Sequence, residues 1–157
     1  MVLTETPLEA LPRQQRRWPF FVCLALLASI VACTLVFVVP QWRNNEKLAR
    51  LHERVSMLSL PPDTEHDLRA EASVVGLLSG NSNHCDYLVH LALITKLPDA
   101  ELVRHYESVT VEGIEGEALS GTVYVSPSGS WRGDGSKEVI VEFFDGGHEA
   151  GSDLRCR

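Results

Sequence analysis

These 157 residues contain no G-x-S-x-G nucleophile elbow, no Gly-rich phosphate loop ending in Lys-Ser or Lys-Thr, and no C-x-x-C pair. The first absence removes the strand-to-turn serine of many hydrolases, and the second removes a nucleotide cradle of the P-loop kind. The third removes a local redox or metal pair. No N-x-S/T sequon occurs, so N-glycosylation carries no hint of compartment. Positive charge is scarce in the second part of the chain. Residues 60–157 hold 17 Asp/Glu against 7 Lys/Arg, near −10, whereas residues 1–59 hold 4 against 7, near +3. Phosphate-backbone binding depends on clustered cations, so no nucleic acid partner is expected.

Charge is missing altogether from Phe20 to Val39, where only Ser29 and Thr34 are polar. At helical rise this run crosses roughly 30 Å of hydrocarbon, one bilayer. Trp18 and Trp42 bracket it at the depth indoles prefer, and Pro19 and Pro40 are expected to punctuate its ends. A cleaved signal peptide needs a shorter apolar core, and here the apolar run continues past any small-residue site. Ile30-Val31-Ala32-Cys33 has the form of a bacterial lipobox, but Thr34 to Val39 stays apolar where a mature lipoprotein turns polar. The expectation is a spanning helix over residues 18–42, behind a tail of residues 1–17, in contact with the lipid bilayer.

Basic residues flank the run on both sides, so the positive-inside rule does not orient it. Cysteine usage does. Cys23 and Cys33 lie in the apolar run, leaving Cys85 and Cys156 as the pair in the remainder. A lone pair near the two ends of a small domain reads as a disulfide, hence an oxidising compartment. The N-terminus is therefore expected in the cytoplasm and the C-terminal domain outside it, in the cell envelope. Bridging these cysteines closes about 70 residues, which the chain-entropy model values at roughly 4 kcal/mol. The first and last strands, as antiparallel neighbours, would bring the two positions together.

Residues 43–60 read as a membrane-proximal helical stalk. Asn44, Leu48, Leu51, Val55 and Leu58 follow a heptad stripe, and Pro61-Pro62 ends it. Two heptads admit two uses, packing on the protein's own domain or a homodimer through residues 44–58. Asp63 to Ser79 reads as a weak helix capped by Thr64, with Gly76 and the β-branched run around it opposing that reading. Residues 61–157 otherwise form an α+β domain. A strand over 85–95 is followed by a helix opening at Pro98, then strands near Val109–Val111, Thr122–Val125, Glu138–Phe144 and Leu154–Cys156. The expected architecture is β-α-β-β-β, a small antiparallel sheet with one covering helix. The loops "SPSGSWRGDG" and "DGGHEAGS" join its neighbours.

Candidate chemistry is confined to "NHCDYLVH" at residues 83–90. Alternation along a strand puts His84, Asp86 and His90 on one face and Cys85 on the other, which removes a Cys–His nucleophilic pair. It leaves His84-x-Asp86, a spacing at which one strand offers two ligands of a two-histidine, one-carboxylate iron site, with His90 or His148 as a third. The plainer reading sets His84 and Asp86 at a solvated strand edge and His90 as a satisfied, half-buried histidine. Trp131 is a candidate contact anchor if its loop exposes it. Arg132-Gly133-Asp134 is ordinary turn chemistry. With no coherent catalytic set and no expected cofactor, the expected role is binding. The chain reads as an envelope-anchored accessory or assembly subunit that presents a sheet surface to another envelope or membrane protein. The alternative is a small metal-binding protein or metal-dependent enzyme using the His84/Asp86 face.

Overall fold

The computed structural model describes residues 18–81, 83–125 and 133–157. Its first element, α1, is one helix over Trp18–Ser56. The chain divides into two compact units, one up to Val36 and the other from Phe37 to Arg157. Within α1 every side chain from Trp18 to Val39 is exposed, and the most apolar 18-residue window has a mean hydropathy of 2.9. The two polar side chains of the run turn inward to the helix. Ser29 Oγ donates to the Ala25 carbonyl at 2.9 Å and Thr34 Oγ1 to that of Ile30 at 2.8 Å. Such back-bonding satisfies hydroxyls where no water is available. By length and composition this helix suffices to cross a membrane. Pro40 does not end it and lies inside α1. Proline has no amide proton, so the Val36 carbonyl loses its helical donor. The division between the two units falls at that residue.

From Phe37 onward the chain forms an α+β domain, and the stalk belongs to it. Leu51 and Val55 are fully buried in the core, with Leu48 and Leu58 packed against it. Arg54 Nη1 donates to the carbonyls of Glu112 and Gly113 at 2.7 and 2.8 Å. The heptad stripe is thus spent on the protein's own core, one of the two uses its spacing allows.

The helix considered over Asp63–Ser79 does not form. Thr64–His66 is β1 and Ala72–Gly76 is β2, both antiparallel to one long strand, β3, at His84–Thr95. Val74, Val75 and Gly76 are poor helix formers, and β3 offers their backbone a ladder. After β3 come α2 (Asp99–Ser108), β4 (Thr110–Glu112), β5 (Ala118–Ser120), β6 (Thr122–Val125) and β7 (Lys137–Glu149). Pro98 precedes α2 with Asp99 and Glu101 in its first turn, as the helix dipole favours. Strands β3 and β7 form the centre of a five-stranded antiparallel sheet, with β1 and β2 along the outer edge of β3 and β6 along that of β7. Strands β4 and β5 make a separate hairpin.

The expected β-α-β-β-β order is therefore incomplete: two strands precede β3 and four follow α2. Thr122–Val125 is a strand as expected. The strand expected at Glu138–Phe144 is longer, because β7 runs through Gly146-Gly147 where a loop was expected. Leu154–Cys156 is a 3-10 turn rather than a strand; its N-cap Asp153 accepts from Arg155 N at 3.1 Å. Between sheet and helices lie Tyr87, Val89, Leu91 and Leu93 of β3, Val139, Val141 and Phe143 of β7, and Leu102 and Tyr106 of α2.

Cys85 and Cys156 are disulfide-bonded across a sequence separation of 71. Here β7 is the antiparallel neighbour: Cys85 stands opposite His148, and the chain turns back within eight residues to return Cys156. Asn44 of α1 is buried against this bond. Its Nδ2 donates to Asp153 Oδ2 at 2.9 Å and lies 3.3 Å from Cys85 Sγ, while its Oδ1 accepts from Tyr87 OH at 3.0 Å. Arg155 grips Asp153 with two nitrogens and reaches Asn45 Oδ1 at 2.8 Å and the Gln41 carbonyl at 3.2 Å. Removing the disulfide as Cys85→Ala/Cys156→Ala is expected to cost about 2–5 kcal/mol in denaturant unfolding. Asn44→Ala, which strands buried partners, is expected to cost about 1–3 kcal/mol. An unfolding midpoint unmoved by Asn44→Ala would show that the contact contributes nothing.

Candidate functional site

The polar start of β3 is organised by a β-bulge. Cys85 pairs with His148 but Tyr87 with Asp145, so Gly146 and Gly147 together oppose Asp86. Gly147 takes φ 85°, and a Cβ on Gly146 would come within 2.8 Å of Asp86 Oδ1 and 2.6 Å of the Phe144 ring. Glycine is what lets the bulge close over the aspartate.

Asp86 is not at a solvated edge; it is fully buried. Its Oδ2 accepts from the amides of Leu78 and Ser79, each at 2.9 Å, and from Ser79 Oγ at 3.2 Å. Its Oδ1 accepts from Gly147 N at 3.1 Å, with His84 Nε2 at 3.2 Å. Burial alone would raise this carboxyl's pKa, but the hydrogen bonds from Ser79, Gly147 and Leu78 outweigh it and hold it below the usual value of 3.8. The carboxylate pins three backbone amides and is occupied in doing so.

The other sequence candidates fall into separate groups. Half-buried His90 pairs with Glu142 across the strands, Nε2 to Oε2 2.9 Å, and Tyr124 OH reaches the same carboxylate at 3.4 Å. His148 is not brought to His84 and Asp86. It lies against Tyr87, ring centroids 5.4 Å apart, and faces the β4–β5 turn. There its Nε2 contacts Asp145 Oδ1 and lies 3.7 Å from Glu117, and its Nδ1 lies 3.3 Å from Glu115. Burial pulls the His148 pKa down, the carboxylates of Asp145 and Glu115 push it up, and the net displacement is upward. Trp131 lies outside the described residues.

Sequence reasoning missed Asp145, Glu115 and Glu117 as neighbours of His148. Asp145-x-x-His148 reads as opposite faces of a regular strand, and only the extra bulge residue brings both to one side. Glu115 and Glu117 flank Gly116 in "EGIEGE", a hairpin turn that only the pairing of β4 with β5 reveals.

A second feature is the sheet face turned away from α1 and α2. Across it run three rows: Val74–Leu88–Phe144, His90–Glu142–Thr122, and Ala92–Ile140–Tyr124. Val74, Tyr124, Ile140 and Phe144 are each 40–52% exposed. Large apolar side chains thus surround the His90–Glu142 pair on a face that no described element covers.

Compared with known proteins, the chain matches no family model, no curated protein and no solved structure.

The carboxylates set an acid limit. The Asp153 carboxyl is also held below 3.8, chiefly by the Arg155 side chain. A depressed folded-state pKa contributes stability that is complete above the unfolded value near 3.8 and lost as pH falls through the folded one. Asp86→Asn is expected to cost about 1–3 kcal/mol at neutral pH, because its NH2 would meet backbone donors. It should also flatten the acid limb of stability below pH 3.8, read by thermal unfolding across pH. An unchanged acid limb would refute the assignment.

Proposed function

We propose that the protein is a single-pass membrane-anchored binding module. In this reading its N-terminus is cytoplasmic and its disulfide-closed α+β domain lies in the cell envelope. The open face of its sheet holds a domain of another envelope or membrane protein, and the chain serves as an accessory or assembly subunit of their complex. The observation that carries this reading is the apolar sheet face of Val74, Tyr124, Ile140 and Phe144. Large apolar side chains left exposed on both sides of a polar pair are the kind of surface that marks an interaction site. The exposed apolar run of α1 supports the anchor. The disulfide supports an oxidising compartment. With 17 acidic against 7 basic residues over 60–157, charge complementarity favours a partner with a basic rim.

Orientation is tested with an impermeant protease on sealed vesicles that expose the envelope side. The domain should be digested, and a protected domain would refute the orientation. The interface is tested by crosslinking and pull-down of the intact chain in mild detergent, beside Ile140→Glu and Phe144→Glu. Central anchors contribute about 2 kcal/mol or more, so each variant should weaken capture of the same partner roughly thirty-fold while leaving the unfolding midpoint near wild type. Equal capture by wild type and both variants would remove the sheet face from the proposal.

A further inference from the structure

The groups around His148 have a composition that the binding-module reading does not use. Asp145 and His148 come from β7 on either side of Gly146-Gly147, and Glu115 and Glu117 come from the β4–β5 turn. That turn is closed by Gly113 N donating to the Glu117 carbonyl at 2.7 Å, with Gly116 at φ 94°. One donor atom from each of Glu117, Asp145 and His148 lies within 4.8 Å of the others. Two carboxylate oxygens, Asp145 Oδ2 and Glu117 Oε1, each lie 2.8 Å from where a Cβ on Gly113 would stand. Glycine at 113 therefore lets both carboxylates approach the turn's backbone closely.

We propose that Glu117, Asp145 and His148 bind a divalent transition-metal cation, of the kind that accepts one imidazole nitrogen and two carboxylates. The supporting groups are arranged as such a centre requires. A metal-bound histidine commonly donates its other ring N–H to a carboxylate, which fixes its tautomer, and Glu115 faces Nδ1 in that position. Asp145 is oriented by the Ile114 amide, which donates to Oδ2 at 2.6 Å. The His148 and Asp145 side chains are 5% and 2% exposed, whereas those of Glu117 and Glu115 are 43% and 64% exposed. The site thus has a fixed floor and an open rim through which an ion enters. The cation takes the place of the proton that Nε2 shares with Asp145; that proton leaves to solvent, and Nδ1–H stays with Glu115. A nitrogen donor discriminates against Mg2+ and Ca2+, which prefer all-oxygen shells.

This inference does not depend on the membrane or partner assignment. The untagged full-length chain in detergent, stripped with chelator, is dialysed against Zn2+, and bound metal is measured by mass spectrometry. Thermal midpoints are compared with Zn2+ and Mg2+. One Zn2+ per chain is expected, with a midpoint raised by Zn2+ and not by Mg2+. Glu117→Gln, at an exposed position that leaves the fold intact, should weaken Zn2+ binding roughly 10- to 100-fold, as should Glu115→Gln through His148. His148→Ala should abolish it, and His84→Ala should leave it unchanged. Absence of stoichiometric Zn2+ would overturn the proposal. So would binding indifferent to Glu117→Gln, or binding lost in His84→Ala.

Discussion

The disulfide between Cys85 and Cys156 ties the 3-10 turn of Leu154–Cys156 to the start of β3, and the rest of the domain is assembled around that closure. Asn44 reaches it from the stalk, Tyr87 from β3, and Asp153 and Arg155 from the terminal turn. Even β2 is tied in, since Leu77 N donates to the Arg155 carbonyl at 2.8 Å. A domain of this size has a modest core, so a covalent link that restricts the unfolded chain carries a large share of its net stability. Buried Asn44 joins the stalk to that closure through Asp153 and Tyr87.

The bulge at Gly146-Gly147 is the second organising device. On one side of the sheet it lets Asp86 gather the Leu78, Ser79 and Gly147 amides. On the other it turns His148 and Asp145 toward the β4–β5 turn. One inserted residue thus separates two clusters that a regular strand would have merged or scattered. Bulges commonly sit where a strand must re-aim side chains, and Phe144, Asp145 and His148 flank this one.

The apolar helix, the acidic domain and the sheet face that no described element covers are the features on which the proposed binding module rests. Leu51 and Val55 are committed to the core, so this part of α1 packs its apolar stripe on its own domain.

Periodicity and composition were enough for the apolar helix, the long strand, the helix opening at Pro98 and the alternating strands near 122–125 and 138–144, because each is a local pattern of side-chain burial. They were enough for the disulfide too, since two cysteines outside the apolar run leave a single pairing. What stayed hidden depends on contacts distant in sequence. Residues 64–66 and 72–76 become strands because β3 supplies hydrogen-bonding edges. Asp86 is buried because amides from three other positions converge on it. His148 meets Asp145 because Gly146-Gly147 shift the register by one. Alternation tells which face a residue takes only while the ladder is regular. The tertiary structure alone decides where it breaks, because the break is set by the pairing of two strands more than forty residues apart.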